Sequence, residues 1–499
     1  MSLTFYLDKG SSLGRDAPCL TLGGKSLSYR EVVKLSHAVA RALRRSGVRP
    51  GDKVGILSAN DPVAFACVFG IARAGAVWCP INPRNGAAEN QELLELFDCR
   101  VLIHQESFAP LVKEIGGLDI AVQLGDEFDA WLAAAAQDPP VEAPPPQDVV
   151  AIVGTGGTTG RPKGVMLTDR NLETMSAITL MSYPFESRPT YLALAPLTHA
   201  AGVLCFPVMA RGGEIVVMAE PDVGEFLRLV ERHRVTHTFL PPTLIYMLLA
   251  HEALDSTDLG SLQCFWYGAA PMSAARLGEA CERIGPMAQL FGQSEAPMMI
   301  STMSPADHRR PDGSIATERL SSAGRPSPLV TVAIMGEEGG LLASGERGEI
   351  VVRGSLVMAG YYKNPEATAE AGKHGWHHTG DIGYLDDDGF LFIVDRAKDM
   401  VITGGFNVYS AEVEQALMAH NAVRDCAVIG LPDDKWGERV TAVVQLQPDT
   451  TVEADALIAF VKERIGSVKA PKQIEIWPDL PRSTVGKVLK TEIRRELLS

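Results

Sequence analysis

Apolar residues recur at two spacings along this chain, and their alternation predicts a layered α/β protein. Residues 27–47 carry apolar side chains at helical spacing and end at Gly47, which is typical of an amphipathic helix with a C-terminal stop. Residues 48–59 then form a turn and a short apolar strand, and residues 61–76 form a second apolar helix. Helices alternating with buried strands indicate a largely parallel sheet covered by helices.

The alternation of helices and strands continues further along the chain, and the pattern then changes twice. The proline-rich stretch Ala134–Gln147 reads as a surface connector, and four apolar strands follow between residues 190 and 300. Shorter strands with Gly and Asp turns from about residue 321 predict a β-rich subdomain. After Asp395, strands and helices alternate in a small α+β unit. The predicted fold is therefore α/β, with a large N-terminal domain of two α/β layers plus a β-rich subdomain, and a small mobile α+β C-terminal domain.

The composition of the chain excludes several classes of protein. The chain has 499 residues, which is too many for a single core, and it carries a net charge of −15, which argues against a broad nucleic-acid surface. The eight cysteines are scattered and none form a CxxC pair, so we expect free thiols in a reducing cytoplasm. We expect no signal peptide, because the start of the sequence lacks a basic segment followed by an apolar one, and no integral membrane association, because no apolar run is long enough to span a bilayer. Oligomeric state is left open, a homo-oligomer included.

The segment 153–168, VGTGGTTGRPKGVMLT, carries the first candidate chemistry. Glycines allow several N–H groups to point into one concavity, and the threonines and Lys163 add donors, so the segment predicts a phosphate cradle. It is not a Walker P-loop, because Lys163 lies between Pro162 and Gly164 rather than before Ser or Thr at the start of a helix.

Further motifs follow in a fixed order and carry a resemblance that spans about residues 27–498. The chain resembles the adenylate-forming family of acyl-CoA synthetases, aryl-CoA ligases, firefly-type luciferases and peptide-synthetase adenylation domains, and is closest to the acyl-CoA synthetases. The matching stretches are TGGTTGRPKG, APLTHAAG, YGAAP, FGQSE, GWHHTGDIGYLDDDG, VDRAKDMVITGGFNVYSAEVE and PRSTVGKVLK.

This resemblance implies two half-reactions that use ATP, Mg²⁺ and CoA. A carboxylate attacks the α-phosphate of ATP to give an acyl-adenylate and pyrophosphate, and the thiol of CoA then displaces AMP. Glu295, together with Thr158, is implied in Mg²⁺ binding, since a hard ion prefers oxygen ligands. Lys487 is the implied catalytic lysine, with Glu295 and His199 as further catalytic residues. The implied ATP- and AMP-binding residues are Thr155, Gly156, Gly157, Thr158, Thr159, Gly160, Lys163, Gly268, Ala269, Ala270, Phe291, Ser294, Asp381 and Arg396.

The family's two-domain motion implies further assignments. The large AMP-binding domain would comprise residues 1–394, the hinge 395–398 with Lys398, and the lid 399–499. Gly404 and Gly405 would let the backbone approach the pantetheine arm of CoA. The acyl pocket would be lined by His199, Val203, Tyr267 and Met298. This lining is apolar with an aromatic contribution, which suits a medium-chain or aryl acid, and because it contains no Arg or Lys a second carboxylate on the substrate would lie unpaired.

The sequence therefore predicts an AMP-forming acid–CoA ligase. Two alternatives stay open at this point, an acyl-AMP ligase that loads a carrier protein and a catalytically inactive nucleotide-binding protein. His374, His377 and His378 cluster around Trp376, but they fall in a family loop of variable polar residues, so a metal site is not expected there. Lys490, three residues after Lys487, is expected to be a solvated surface charge.

Overall fold

The computed structural model describes residues 3–142, 148–155, 162–194, 196–197, 200–433, 435–482 and 488–498. Four sheets organise these residues, and helices cover the two large ones. The helices are α1 (Thr4–Gly14), α2 (Tyr29–Arg45), α3 (Pro62–Arg73), α4 (Ala87–Leu96), α5 (Ala109–Val112), α6 (Asp126–Ala134), α7 (Asp169–Ser182), α8 (Ala200–Val203), α9 (Cys205–Ala210), α10 (Val223–His233), α11 (Pro242–Leu249), α12 (Ala274–Arg283), α13 (Pro365–Ala371), α14 (Ser410–Met418), α15 (Ala454–Ile465) and α16 (Lys490–Leu498).

The first large sheet has seven strands in the order β18-β8-β7-β4-β3-β5-β6. Its centre is parallel, and the hairpin of β7 and β8 adds an antiparallel edge that β18 extends. The strands are β3 (Lys53–Leu57), β4 (Val77–Ile81), β5 (Val101–His104), β6 (Ile120–Gln123), β7 (Ala151–Thr155), β8 (Lys163–Leu167) and β18 (Gly360–Tyr361).

The second large sheet has nine strands in the order β15-β14-β13-β12-β11-β9-β10-β1-β2. Four consecutive apolar runs supply its parallel centre, since strands buried on both faces need apolar side chains throughout. The strands are β1 (Pro18–Leu22), β2 (Lys25–Ser28), β9 (Thr190–Ala193), β10 (Glu214–Val217), β11 (His237–Leu240), β12 (Cys264–Tyr267), β13 (Met287–Gln293), β14 (Ala296–Met303) and β15 (Arg325–Pro326).

Two smaller sheets complete the fold. One is a four-stranded antiparallel sheet in the order β16-β17-β19-β20, and the other has five strands in the order β22-β21-β24-β23, with β25 parallel to β24. The strands are β16 (Val330–Met335), β17 (Gly348–Gly354), β19 (His377–Leu385), β20 (Leu391–Arg396), β21 (Val401–Thr403), β22 (Phe406–Val408), β23 (Val423–Asp433), β24 (Gly437–Leu446) and β25 (Gln473–Ile476).

Local sequence sets the helix boundaries. Helix α2 begins after Ser28, whose hydroxyl accepts from the backbone N–H of Glu31 while the Glu31 carboxylate accepts from Ser28, which forms a reciprocal capping box. The Asp61 carboxylate caps α3 by accepting from the N–H of Ala64, and Pro62 opens that helix. These helices lie where the apolar periodicity predicts them.

The predicted architecture is confirmed. Two α/β sheets, a separate antiparallel sheet from residue 330 onward and a small C-terminal α+β unit correspond to the four predicted parts. Within the described ranges, no helix combines the length and apolar character needed to cross a membrane. The proposed domain limits at 394 and 398 stay predictions.

Candidate active site

The hairpin of β7 and β8 carries the predicted phosphate-binding segment at its tip. Thr155 pairs with Lys163 at the open end of the hairpin, and the Thr155 hydroxyl donates to the Lys163 carbonyl oxygen at 3.3 Å. The Lys163 side chain is exposed. The predicted loop residues Gly156, Gly157, Thr158, Thr159 and Gly160 lie outside the described residues. The described ends of the hairpin therefore place one lysine at the mouth of that segment.

A tyrosine joins this hairpin to the predicted metal-binding carboxylate. Tyr361 lies on β18, which pairs with β8 at Val165, and its hydroxyl donates to Oε1 of Glu295 at 2.8 Å. The Nζ atom of Lys163 lies 4.7 Å from the centroid of the Tyr361 ring, which is a cation–π contact. Burial, with a further contribution from Glu295, raises the pKa of Tyr361, so its hydroxyl stays a hydrogen-bond donor.

The contact of Tyr361 was not predicted from the sequence. Tyr361 and Tyr362 are adjacent in the chain, and the sequence alone does not show which of the two side chains faces Glu295. The backbone adds a second link here, since the N–H of Met358 donates to the carbonyl oxygen of Glu295 at 2.7 Å. Tyr361, which lies on a third segment of the chain, thus contacts both Lys163 and Glu295.

Asp381 and Arg396 form an ion pair across two neighbouring strands. They are register partners on β19 and β20, and Nε of Arg396 lies 3.0 Å from Oδ1 of Asp381. Asp381 is 4% exposed, whereas half of the Arg396 side chain is exposed. The N–H of Asp381 also donates to the hydroxyl of Thr379 on the same strand at 3.1 Å. The two residues that the sequence assigns to one nucleotide therefore meet in the structure.

Residues 268–270, which the resemblance assigns to ATP and AMP binding and which we call the adenine shelf, follow β12. A Cβ atom on Gly268 would lie 2.4 Å from the carbonyl oxygen of Leu290, so glycine is required for β12 and β13 to approach this closely. Ala269 has a φ of +66°, and Ala269 and Ala270 are both exposed. Phe291 is half-buried on β13, the next strand, and Ser294 is half-buried just beyond it. An exposed segment with small side chains beside an aromatic residue is suited to a planar ring.

Two of the predicted acyl-pocket residues lie in one core. Val203 and Met298 are 6% and 7% exposed and belong to the main hydrophobic cluster of the large sheets. Met298 has a φ of +62°, and a Cβ atom on Gly292 would lie 2.5 Å from its backbone nitrogen. His199 lies outside the described residues.

Tyr267 requires a correction, because it lies away from these residues. It is 1% exposed in the cluster beneath α10–α12, and its hydroxyl is hydrogen-bonded to Nε2 of His308 at 2.9 Å. Its neighbour Trp266 faces the main cluster instead. Successive side chains of a strand point to opposite faces, and this alternation turns Tyr267 away from Val203 and Met298.

The histidines near Trp376 have local partners. Nδ1 of His378 lies 2.7 Å from Oε2 of Glu349, and Nε2 of His377 lies 3.4 Å from Oε1 of Gln293. Burial lowers the pKa of His377, so that imidazole is neutral near pH 7. Among the residues that the structure describes, no group of three or more His, Cys, Asp or Glu side chains is arranged to hold a metal ion.

The glycine pair of the C-terminal unit forms an exposed turn. Gly404 and Gly405 join β21 to β22 with φ angles of +56° and +81°, a backbone region that glycine adopts without strain. The N–H of Gly404 donates to the carbonyl oxygen of Trp436 at 2.7 Å, and 40% of Trp436 is exposed. Lys398 lies in the exposed turn after β20, where the N–H of Asp399 donates to the carbonyl oxygen of Arg396.

Lys490 also requires a correction. It is not a solvated surface charge, since its Nζ atom lies 2.7 Å from Oε1 of Glu414 and 2.5 Å from Oγ of Ser410, and its side chain is 21% exposed. The expected catalytic lysine, Lys487, lies outside the described residues.

Comparisons with known proteins cover nearly all of the chain. Residues 9–362 match the AMP-binding enzyme family, and residues 412–487 match the AMP-binding enzyme C-terminal domain. A medium/long-chain-fatty-acid–CoA ligase of Mycobacterium tuberculosis is 36% identical over 96% of this chain and 87% of its own. A feruloyl-CoA synthase of Amycolatopsis is 38% identical over 95% of this chain and 94% of its own. The structure of an amide bond synthetase from Marinactinospora thermotolerans superposes with a TM-score of 0.90 at 30% identity, over 99% of this chain and all of that one.

Proposed function

This chain belongs to the AMP-binding enzyme family, and from that premise we propose that it is an ATP-dependent acid–CoA ligase acting on an apolar medium-chain or aryl acid. The membership confirms the resemblance that the motifs indicate. In the first half-reaction the acid's carboxylate attacks the α-phosphate of ATP, forming an acyl-adenylate and releasing pyrophosphate. In the second, the thiol of CoA attacks the acyl carbonyl and AMP leaves. The Mycobacterium tuberculosis relative is a medium/long-chain-fatty-acid–CoA ligase and the Amycolatopsis relative is a feruloyl-CoA synthase, which supports this substrate class.

The arrangement of Lys163, Tyr361 and Glu295 is the observation that carries the proposal. A cation and a carboxylate lie on either side of one buried tyrosine at the mouth of the glycine-rich segment. Thr155, Lys163 and the segment between them would hold the β- and γ-phosphates, which leave as pyrophosphate. Attack of an anion on a polyanion needs donors and positive charge placed in advance, and Lys163 supplies both.

Glu295 is a suitable ligand for Mg²⁺, with Thr158 as a second oxygen donor. The ion usually takes one or two carboxylates and completes its shell with water and phosphate oxygens, so a single oriented carboxylate beside the phosphates fits it. Tyr361 holds one oxygen of Glu295 and so fixes the direction of the carboxylate. Bound there, Mg²⁺ would offset the negative charge of the phosphate oxygens.

The nucleoside would bind between the shelf and the ion pair. Gly268, Ala269 and Ala270 would contact adenine, with Phe291 and Ser294 beside them. The Asp381 carboxylate would accept hydrogen bonds from the ribose hydroxyls, while Arg396 orients it from the neighbouring strand. Because Asp381 is buried and paired, its acceptor oxygens are fixed before the nucleotide arrives.

The remaining assignments concern the acid, the thiol and the lid. His199, Val203 and Met298 would line the acyl site, and they supply no permanent positive charge to pair a second carboxylate. Lys487 would bridge the acid and the α-phosphate during adenylation, with residues 399–499 as a lid that turns about Lys398. In the second half-reaction the exposed turn at Gly404 and Gly405 would contact the slim pantetheine arm.

The test measures the half-reactions separately. Pyrophosphate exchange into ATP is measured across aliphatic, aryl and dicarboxylic acids, followed by AMP release with CoA or a holo-carrier protein as acceptor. We expect exchange with monocarboxylic apolar acids and release with CoA, and we expect Lys487→Ala to lower exchange about 10²–10³-fold. Lys462→Ala, an exposed lysine of α15, is the matched control and should match wild type.

Each alternative predicts a different result. Release only with a holo-carrier would favour the carrier-loading ligase, and absence of exchange with every acid would favour an inactive nucleotide-binding protein. Exchange that persists unchanged in Lys487→Ala would contradict the role of that lysine.

A further inference from the structure

The strand that carries Asp381 is irregular just before that residue. His378 of β19 lies opposite Val351 of β17, whereas Ile382 lies opposite Glu349. Three residues of β19, the last of them Asp381, therefore face a single residue of β17, which is a β-bulge. Bulges beside binding sites re-aim a side chain, so the direction of the Asp381 carboxylate depends on the contacts that hold this bulge.

A carboxylate from the neighbouring strand holds the middle of the bulge. Gly380 has a φ of +72°, which glycine adopts without strain, and its N–H donates to Oε1 of Glu349 at 2.9 Å. The carbonyl oxygen of Gly380 accepts from the N–H of Ala397 at 3.0 Å. Both backbone groups of the residue that precedes Asp381 are therefore bonded, one of them to a charged side chain.

Glu349 is itself fixed by a second contact. Its other oxygen, Oε2, lies 2.7 Å from Nδ1 of His378, and Nε2 of that ring lies 3.1 Å from the carbonyl oxygen of Lys373. The side chains of Glu349 and His378 are 28% and 17% exposed, so solvent screens this contact less than it screens a contact at the surface. Because its two oxygens have different partners, the Glu349 carboxylate is held in one orientation.

Thr379 fixes the bulge from within. Its hydroxyl donates to the carbonyl oxygen of Ile350 at 2.7 Å and accepts from the N–H of Asp381 at 3.1 Å. A carboxylate that accepts from a backbone N–H makes the stronger, charge-assisted kind of hydrogen bond. Glu349 is therefore the contact whose loss should disturb the bulge most.

We propose that Glu349 is a positioning residue for ribose binding. It holds the N–H of Gly380 and thereby keeps the next residue, Asp381, directed toward the ribose hydroxyls. The inference rests on the proposed function, in which the Asp381 carboxylate accepts hydrogen bonds from those hydroxyls. Displacement of a positioned group by about 1 Å can cost as much as 10²-fold, so a small relaxation of the bulge is sufficient.

The test compares AMP with 2′,3′-dideoxy-AMP, which lacks both ribose hydroxyls, by titration calorimetry on the full chain. Wild type should bind AMP about 10- to 100-fold more tightly than the dideoxy nucleotide. In Glu349→Ala the Kd for AMP should rise about 10-fold, whereas the Kd for the dideoxy nucleotide should stay within about 2-fold of wild type, because that nucleotide has no hydroxyl for Asp381 to hold. Glu349→Gln keeps an acceptor oxygen for Gly380 and should retain most of the preference for AMP.

The matched control is a glutamate that also accepts from a backbone N–H. Oε2 of Glu346, in the exposed loop between β16 and β17, accepts from the N–H of Ala343 at 2.7 Å. Glu346→Ala should bind both nucleotides as wild type does. His378→Leu removes only the second contact of Glu349 and should raise the Kd for AMP alone, by about 2- to 5-fold, which keeps the proposal testable if Glu349→Ala folds poorly.

A double variant separates positioning from general loosening of the sheet. If Glu349 acts through Asp381, Glu349→Ala combined with Asp381→Asn should bind AMP no more weakly than Asp381→Asn alone. Additive losses, or an equal rise of both Kd values in Glu349→Ala, would reduce Glu349 to a stabilising contact and overturn the proposal. Equal affinity of wild type for the two nucleotides would instead contradict the ribose role of Asp381 in the proposed function, and the inference would fail with it.

Discussion

The hydroxyl of Tyr361 donates a 2.8 Å hydrogen bond to Glu295, and the ammonium of Lys163 lies 4.7 Å from the centre of the same ring. One buried side chain therefore contacts the two charged residues at the mouth of the glycine-rich segment. The contact is local to the edge of the seven-stranded sheet, because β18 pairs with β8 and carries Tyr361 to this place. The direction of the Glu295 carboxylate therefore depends on Tyr361, which lies in neither the glycine-rich segment nor the FGQSE motif.

Tyr361→Phe is expected to weaken adenylation and the use of Mg²⁺. The variant keeps the ring under Lys163 and removes only the hydrogen bond to a carboxylate, a contact that contributes about 1.5–3 kcal/mol. Pyrophosphate exchange should fall about 10-fold, and the Mg²⁺ concentration for half-maximal rate should rise. Tyr362→Phe is the matched control, since its hydroxyl donates to Asp98 at the surface. Equal effects of the two substitutions would contradict a specific role for Tyr361.

Asp381→Asn is expected to weaken nucleotide binding. The substitution preserves the shape of a buried side chain but replaces an acceptor oxygen with a donor and removes the charge that pairs with Arg396. The Kd for AMP, measured by titration calorimetry, should rise about 10-fold or more, which corresponds to about 1.4 kcal/mol. Asp388→Asn, in the exposed turn between β19 and β20, should leave the Kd unchanged. Unchanged AMP binding in Asp381→Asn would remove this residue from the proposed ribose site.

The fold follows from the sequence wherever the hydrophobic pattern has a clear period. Apolar runs bounded by Gly and Pro predict β9–β12, and helical spacing predicts α2 and α3, so the layers are correctly predicted. Asp381 and Arg396 lie in consecutive motifs of the predicted β-rich subdomain, and the pairing of β19 with β20 brings them together. The period of the apolar residues and the turn residues between them are sufficient to predict these elements.

The missed residues depend on side-chain direction and on distant segments. Tyr361 and Tyr362 differ only in which face they present, and a shift of one residue reverses the face. The assignment of Tyr267 to the acyl pocket fails for a related reason. Its side chain lies on the face of β12 that packs against α10–α12, and the sequence does not show which face that is. Lys490 meets Ser410, 80 residues earlier in the chain, and no local pattern reveals such a contact.

Tyr267→Phe is expected to lower stability without changing acid preference. The hydroxyl contacts Nε2 of His308 and Oε1 of Gln289 in a buried position, and its removal should reduce the free energy of unfolding by about 1–2 kcal/mol. Urea denaturation measures this change. The ratio of kcat/KM for an aryl and an aliphatic acid should equal that of wild type. A shifted ratio would return Tyr267 to the wall of the acyl pocket.

His308 links the stability of the large sheets to pH. It is 1% exposed, and burial lowers its pKa to about 4. Nδ1 donates to the carbonyl oxygen of Ser304 at 2.8 Å, and Nε2 lies 2.9 Å from the hydroxyl of Tyr267, which is also hydrogen-bonded to Oε1 of Gln289 at 3.2 Å. Because burial lowers this pKa, the ring is neutral near pH 7 in the folded protein, whereas in the unfolded chain it titrates near its usual value of about 6.5.

The unfolded state consequently binds the extra proton first as the pH falls, and stability is lost between about pH 6.5 and 4. From pH 7 to pH 5 this single group should lower the free energy of unfolding by about 2 kcal/mol. Burial raises the pKa of Asp395 to about 6, which acts in the opposite direction, so the test compares variants rather than wild type alone. Urea denaturation of His308→Gln should show about 2 kcal/mol less loss between the two pH values than wild type, whereas the exposed His374→Gln should lose as much as wild type. An identical loss in His308→Gln and wild type would mean that His308 is already protonated, or solvated, in the folded protein.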